Sequence, residues 1–428
     1  MMGKWNRRDF LGGVTAAAMP SLAIAQSRSV NEKVGIAVCG AGRGASLARF
    51  FSGLEDSQVV AICDVDENRG RPLCEQIRLI SGKQPDYVMD FRYLLERSDV
   101  DAVVVATPDH WHSPITIHSC MAGKDVYVEK PLSHNVAEGR LAVQIARKYK
   151  RVVQHGTNLR ASPHYQEAWK LLQKGIIGKV LMAKAINNQK RPKLKDRADE
   201  PVPAGVNYDL WLGPARKQAF NQNRFHGSWH WMREYGTGDI GNDGVHQIDL
   251  GRWALGLKSP KAVSCSGAKL GWQGGAQEFP DAMVVTWEYD DFLYVFEQRD
   301  FTPYRMTGHR MDNDNIFYGD EGFMMIDRDG YRVFYRDQKG PSCQRKWVDQ
   351  GRHYQNFIDC VKSRKHEDLI ADIEEGHYSS LLCHLGNIAY FTGRRLEFDP
   401  RSETFPSDTQ ANELLHRQYR AGFELPVS

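Results

Sequence analysis

No long basic run, no C-x-x-C pair, no internal repeat and no low-complexity tract occur in this sequence. Each absence removes a class of function. The 56 Lys and Arg against 53 Asp and Glu leave a formal charge of only +3 over 428 residues. Nucleic acid and anionic membrane surfaces are therefore poor candidate partners. Eight cysteines without an evenly spaced framework do not read as a disulfide-built domain. Cys39 and Cys63 lie in apolar strand patterns and Cys74, Cys120, Cys360 and Cys383 in helical ones, so most read as small buried hydrophobes, with a late disulfide left open. What remains is an ordinary globular composition, 41% hydrophobic and 25% charged, long enough for two domains.

The first 25 residues stand apart from the fold. Lys4, Arg7 and Arg8 make a positive start, and "FLGGVTAAAMPSLAIA" follows, too short and too rich in Gly and Ala to span a bilayer stably. It ends Ala23-Ile24-Ala25, an A-x-A cleavage pattern. "NRRDFL" from Asn6 resembles the twin-arginine export signal. That resemblance implies a folded, cofactor-loaded protein delivered to the periplasm, with no stable membrane anchor after cleavage.

From Glu32 to Asn158 short apolar strands alternate with helical segments: "KVGIAVCG", "QVVAICDVD", "DAVVVATP", "DVYVEKP" and "RVVQHGTN" are the strands. This alternation predicts βαβ units and a parallel sheet over residues 32–158. Residues 159–399 change character. A helix is expected at Pro163 to Lys174, then a strand, then a long polar and aromatic stretch from Lys190 to about Asp239, too long for an ordinary connection. A helix "DGVHQIDLGRWALG" follows, and alternating runs such as "AMVVTWEY" and "FLYVFEQRD" predict a large, mostly antiparallel sheet open on one face. A helix at Glu374 to Thr392 is expected to pack on it, and residues 400–428 form a C-terminal extension. The fold class is α/β, a dinucleotide-binding domain followed by a second α/β domain.

The loop after the first strand reads Gly40-Ala41-Gly42-Arg43-Gly44-Ala45. Glycines in this strand-to-helix turn let backbone approach a pyrophosphate seated on the helix N-terminus. Asp64 ends the next strand, where an acid accepts ribose hydroxyls and repels a 2′-phosphate. NAD is therefore expected over NADP, although Arg43 could pair with a phosphate. "ATPDHWH", with Thr107, His110, Trp111 and His112, closes the third strand at the sheet edge where ligands bind, as a loop wall beside the nicotinamide. His110 and His112 lack thiolates or an obvious third ligand nearby, so no metal is expected. The strand "VYVEKPLS" ends on the same edge, which aims Lys130 at the reacting ring, where an ammonium binds a hydroxyl or carbonyl and suits proton transfer. Pro131 suggests a cis bond.

Taken in order, the glycine loop at Gly40, Asp64, "ATPDHWH", "EKP" at Glu129, "HGTNLR" from His155, "LWLGP" from Leu210 and "GTGDIGNDGVHQID" from Gly236 resemble the Gfo/Idh/MocA oxidoreductases. That family is named for glucose-fructose oxidoreductase and inositol dehydrogenase. The resemblance covers about Lys33 to Asp399. It implies a Rossmann domain, sugar-like substrates, and an open sheet that often forms oligomers, so a homodimer or homotetramer is expected. It places Lys130 as the catalytic lysine and Glu129, Thr107, His112 and Asn158 near the cofactor. Its Asp-x-x-x-His motif puts the histidine at His246, with a buried core histidine as the alternative reading. The chain departs from the motif: Asn242 stands four before His246, with Asp243 beside it, and asparagine cannot relay a proton. Asn242 and Asp243 are then expected to position substrate. Trp211 and the stretch "RFHGSWHWMREY", with His226, His230, Arg233 and Tyr235, offer aromatic faces and polar tips for a carbohydrate ring; the alternative is a domain contact. Three functions stay open: a dehydrogenase on a sugar or cyclitol with retained cofactor, a redox-neutral glycosidase or lyase using transient oxidation, and a non-catalytic NAD-containing sugar-binding protein.

Overall fold

The computed structural model describes residues 33–302, 313–335, 338–344 and 349–426; the proposed export signal lies outside them. Six parallel strands form the first sheet: β1 (Val34–Cys39), β2 (Ser57–Cys63), β3 (Asp86–Val88), β4 (Ala102–Val105), β5 (Asp125–Val128) and β6 (Val153–His155). Their order is β3-β2-β1-β4-β5-β6. Every residue of β1, β4, β5 and β6 is buried, because helices cover both faces of such a sheet. Chief among these helices are α1 (Gly44–Gly53), α2 (Glu67–Ser81), α3 (Asp109–Met121) and α4 (Val136–Lys148). Asp66 caps α2 by accepting from the Asn68 N–H at 3.0 Å, and Gly82 ends it in the left-handed conformation.

The sheet order reverses between β1 and β4, and there two backbone segments approach closely. A Cβ on Gly40, whose φ is +96°, would lie 2.4 Å from the Ala106 carbonyl oxygen. Gly40 is thus required twice, by φ and by space. The row continues along the same edge. Ala106 N–H bonds Cys39 O, Glu129 N–H bonds Val105 O and Gly156 N–H bonds Val128 O. Four strand ends are therefore level with one another, which is where an open α/β sheet binds its ligand.

After helix α5 (Pro163–Gln173) comes a nine-stranded sheet. Its strands are β7 (Val180–Asn188), β8 (Ala262–Ala268), β9 (Ala282–Glu288), β10 (Leu293–Arg299), β11 (Asn313–Gly319), β12 (Phe323–Asp327), β13 (Gly330–Tyr335), β14 (Gln338–Gln344) and β15 (Leu396–Glu397). The order is β14-β13-β12-β11-β7-β10-β9-β8-β15, antiparallel except where β7 meets β10. One face buries Val285, Trp287, Tyr294, Phe296 and Met324 against α5, α6 (Val245–Leu255) and the long helix Ile373–Thr392. The other carries the Lys184–Glu297 ion pair and half-exposed Val284 and Leu293. The expected large, mostly antiparallel sheet with one open face is what forms.

Chain order misleads in one place. Helix α7 (Gln350–Ser363) follows β14, yet its Tyr354, Phe357 and Ile358 join Phe51 and Tyr127 in the core of the first sheet. The end of the chain also returns: Phe423 and Leu425 pack on the first domain, and Tyr419 donates to Glu138 at 2.8 Å. A buried ionic group joins the turn after β6 to α6 and the helix Ile373–Thr392. The Arg160 guanidinium forks onto Asp249 through two 2.7 Å bonds, with Glu375 at 3.2 Å, and Arg160 and Asp249 are each 1% exposed. Leaving one member unpaired strands a charge in the core. Arg160→Met is expected to cost about 3–5 kcal/mol in urea unfolding followed by tryptophan fluorescence; a loss below about 1 kcal/mol would show the group to be dispensable.

Candidate active site

The glycine loop is built to receive an anion. Helix α1 begins at Gly44 with no side-chain cap and no acidic residue in its first turn; the Ala45 and Ser46 N–H groups make only long 3.2 Å bonds to the Gly42 and Arg43 carbonyls. A Cβ on Gly42 would meet only Arg69 Nη1, at 3.5 Å, so the loop is open on that side. Thr107 Oγ1, at the end of β4, is buried without a protein partner. An open loop, an uncapped helix start and an orphaned hydroxyl together fit a dinucleotide pyrophosphate and its neighbouring sugar.

Asp64 stands at the end of β2, where the spacing places it. Its Oδ2 accepts from Ala41 N–H at 2.5 Å and its Oδ1 from Asp66 N–H at 2.8 Å. Burial raises its carboxyl above the ordinary value against the pull of those bonds. Asp64 thus holds the glycine loop to the end of β2. Arg43, which could have paired with a phosphate, instead binds Glu129 at 3.0 Å. Burial would raise the Glu129 carboxyl, but Arg43 and Lys130 hold it below the ordinary range. Asn158 is buried and donates to the Tyr354 hydroxyl at 3.3 Å.

Lys130 lies two residues beyond β5, and the Lys130–Pro131 peptide is cis. His112 fixes this turn: its ring bridges two backbone carbonyls, with Nδ1 2.6 Å from Pro131 O and Nε2 2.8 Å from Thr107 O. The Lys130 ammonium reaches across to the second domain and donates to the backbone carbonyl of Asn242. Asn242 sits in a π-helical turn, Ile240–Gly244, that leads into α6. Such turns carry i→i+5 bonds and recur at functional sites. Here the structure corrects the expectation for Asn242. Its side-chain amide turns away to Asp239, at 3.0 Å, so what it offers Lys130 is backbone.

Asp243 and His246 complete the group. Burial would raise the Asp243 carboxyl, yet His246, Lys130 and Arg191 together hold it below the ordinary value. Burial first, then Lys130, pushes His246 down to about 4, so its imidazole is neutral at pH 7. His246 Nδ1 is buried without a partner, which fits a site residue better than a satisfied core histidine. His230 joins them. Burial, Lys130 and Arg191 push it down to about 3.

Other expected site residues are not brought to Lys130. "ATPDHWH" is no loop wall, because helix α3 begins directly after Pro108. That turns the rings of His110 and Trp111 inward, where they donate to Trp211 O at 2.9 and 3.1 Å. Trp211 and Tyr235 pack with tilted rings in an aromatic cluster with Tyr208, Phe220 and Phe225, and both are buried. Arg233 is exposed, its guanidinium 3.8 Å over the Phe391 ring. His226 bonds Asp66 at 2.7 Å, two residues past Asp64. It belongs to a clasp: Glu67 N–H bonds Gly205 O, Asn207 N–H bonds Val65 O, and the Asn68 amide bonds Ala204 O. The long stretch after Lys190 therefore folds down over the turn that follows Asp64. A cleft of about 700 Å³ lined by Met89, Val206, Tyr208 and Phe220 opens beside this clasp, away from Lys130.

The sequence reading passed over Gln189, Arg191, Asp109 and Thr237. Gln189 and Arg191 approach Asp243 from the segment after β7, and only their position just beyond a strand end could have marked them. Asp109 is the centre of "ATPDHWH". It is 2% exposed and accepts from the Thr237 hydroxyl at 2.7 Å.

Comparison with known proteins places these elements. Residues 34–157 match the model of the oxidoreductase family's NAD-binding Rossmann fold, and residues 170–425 that of its C-terminal alpha/beta domain. The chain is 33% identical over 161 residues to inositol 2-dehydrogenase 1 of Saccharopolyspora erythraea, covering 37% of this chain and 47% of that protein. It is 24% identical over 267 residues to 2,7-anhydro-N-acetylneuraminate hydratase of Mediterraneibacter gnavus (61% and 60%). It is 31% identical over 163 residues to a glycosyl hydrolase family 109 protein of a Shewanella species (32% and 36%). The matches thus span between about a third and three fifths of those relatives. Among solved structures, levoglucosan dehydrogenase in complex with NADH and levoglucosan superposes with a TM-score of 0.65 at 17% identity, covering 86% of this chain and 99% of that one. Aldose-aldose oxidoreductase from Caulobacter crescentus gives 0.65 at 19%, with 86% and 100% covered. These likenesses show the fold.

Burial raises the Asp109 carboxyl to about 6, with His112, Thr237 and Lys130 opposing. A carboxyl raised in the folded state contributes stability that is fully present below its unfolded value near 3.8 and is lost as pH rises through about 6. Asp109→Asn is therefore expected to be about 1–3 kcal/mol more stable than the parent at pH 7.5. That advantage should vanish below about pH 4 in unfolding measured across pH; an advantage independent of pH would contradict the assignment.

Proposed function

This chain belongs to the Gfo/Idh/MocA oxidoreductase family, and from that premise we propose that it moves a hydride to or from a carbon of a sugar, glycoside or cyclitol and keeps its cofactor through the cycle. The observation that carries this reading is the meeting of Lys130, from the edge of the parallel sheet, with the Asn242–His246 turn of the second domain. Bound NAD would supply the two-electron chemistry, taking up a hydride and giving it back. NAD is favoured over NADP because Asp64 would face a 2′-phosphate with like charge.

The residues divide the remaining work. Lys130 holds the oxygen of the reacting hydroxyl and offsets negative charge as it develops there. His246, neutral at pH 7, has a ring nitrogen able to accept the hydroxyl proton. Asp243, ionised beside it, favours the imidazolium that results. His230 borders the same space and offers a neutral ring for a further hydroxyl. The clasp over the turn after Asp64 supports slow cofactor loss, since dissociation past it requires its hydrogen bonds to open. Retention suits the proposed twin-arginine export, because an enzyme that shed NADH in a compartment poor in nicotinamide would stall. We further place the mature protein in the periplasm, as a homo-oligomer through the open face of the nine-stranded sheet.

Relatives named as a hydratase and as a glycosyl hydrolase support a second reading in which the hydride returns to the same sugar after elimination. One experiment addresses both. Protein purified without added cofactor is given a glycoside panel in deuterated water, beside Lys130→Ala. Bound NAD(H) is expected in both proteins, with turnover only in the parent. Deuterium beside the transient ketone with released aglycone and no net oxidation marks the redox-neutral route. An oxidised product that needs a second carbonyl compound marks the dehydrogenase route. Absence of bound or bindable NAD, or near-full activity in Lys130→Ala, would defeat the proposal.

A further inference from the structure

Position 242 lacks the acid that the resemblance leads one to expect, and the structure shows where a carboxylate stands instead. Asp239 is 1% exposed, one turn before Asn242. Three donors from three places converge on it: the Asn187 amide of β7 at 2.8 Å, the Asn242 amide at 3.0 Å and the Arg191 guanidinium at 3.1 Å. Asn242 is thereby gripped from behind by its side chain, while its carbonyl faces forward onto the Lys130 ammonium. A second buried carboxyl, Asp300, lies beside Asp239. Burial and the neighbouring Asp239 push the Asp300 carboxyl well above the ordinary carboxylate range. Gln298 bonds Asp300 at 2.7 Å, and the backbone N–H of Arg191 bonds its carbonyl at 2.7 Å.

Burying this carboxyl costs desolvation, and the three polar contacts offset it. A purely structural cap for the π turn would need no such charge, since an asparagine or a backbone carbonyl could accept from the Asn242 amide. The carboxylate is what Arg191 and Asn187 share, and Arg191 in turn approaches Asp243 at 3.7 Å. One buried anion thus sets the orientation of Asn242 on one side and of the cation next to Asp243 on the other.

We propose that Asp239 is the positioning residue for Lys130, holding Asn242 so that its backbone carbonyl fixes the lysine ammonium and thereby supplying from one turn earlier the carboxylate missing at position 242. This rests on the reading of Lys130 as the group that acts on a sugar hydroxyl.

The test compares the parent, Asp239→Asn, and the exchanged pair Asp239→Asn with Asn242→Asp. Two quantities are read: the rate at which an amine acylating reagent labels Lys130 in cofactor-free protein, followed by mass spectrometry of its peptide, and kcat and KM on an active sugar. Asp239→Asn is expected to raise the labelling rate and to lower kcat about 100-fold with KM little changed, the cost of a misplaced catalytic group. The exchanged pair, which returns a carboxylate to the same face, is expected to recover about tenfold of that loss. A folded Asp239→Asn with the parent's labelling rate and kcat overturns the proposal. So does an Asp239→Asn protein that loses its fold while the exchanged pair restores the melting temperature without restoring turnover, since Asp239 would then be a structural charge. A parent with no Lys130-dependent turnover defeats the functional reading alone, because labelling needs no substrate and still decides the role of Asp239.

Discussion

A lysine ammonium held on a backbone carbonyl joins the two halves of this site. Lys130 belongs to the edge of a parallel sheet, and the Asn242 carbonyl belongs to a π turn of the second domain. Neither half has the other's chemistry. The sheet edge offers a glycine loop, an uncapped helix start and Asp64, all suited to a dinucleotide. The turn offers Asp243 and His246, suited to a proton. Bringing them together requires that the strand ends be level, and the close approach of Gly40 to Ala106 together with the His112 bridge from Thr107 to Pro131 makes them so.

The second requirement is that the two domains do not slide. The Arg160–Asp249–Glu375 group meets it, because Asp249 lies on α6, the helix that carries His246, while Arg160 lies just past β6 in the turn that begins at Asn158. A buried ion pair of this kind contributes little net stability, since desolvating both charges offsets most of their attraction. It does penalise any arrangement that separates them. The returning helix α7 and the C-terminal Phe423 and Leu425 add apolar contacts between distant parts of the chain. The site is therefore a product of packing far from it.

The Rossmann domain was legible because its signals are local. A buried strand, a glycine turn, an amphipathic helix and an acid at the next strand end follow one another within a few dozen residues, and Lys130 could be placed by strand end alone. Asp64 and the cis bond before Pro131 were read in the same way, whereas His246 came only from the resemblance to the family's second motif. Three things were not legible. The inward turn of His110 and Trp111 depends on α3 starting at Asp109, directly after a proline, which a strand-end motif does not reveal. The direction of the Asn242 side chain depends on a π turn, and one added residue in a helical turn changes which group faces the partner without changing composition. The partners of that turn, Asn187, Arg191 and Asp300, come from strands and strand ends dozens of residues away. Aromatic residues in "RFHGSWHWMREY" looked like sugar stacking but serve largely as the small core of the segment that covers the turn after Asp64.

The central claim is that cofactor and sugar meet at Lys130. A crystal structure of the protein purified with its cofactor and soaked with a sugar that it turns over tests this directly. The account predicts the pyrophosphate on the N–H groups that open α1, and a sugar hydroxyl within hydrogen-bond distance of both Lys130 Nζ and His246. A sugar bound in the cleft beside Val206 and Phe220, with Lys130 still closed onto Asn242 and out of reach of any ligand atom, would contradict it.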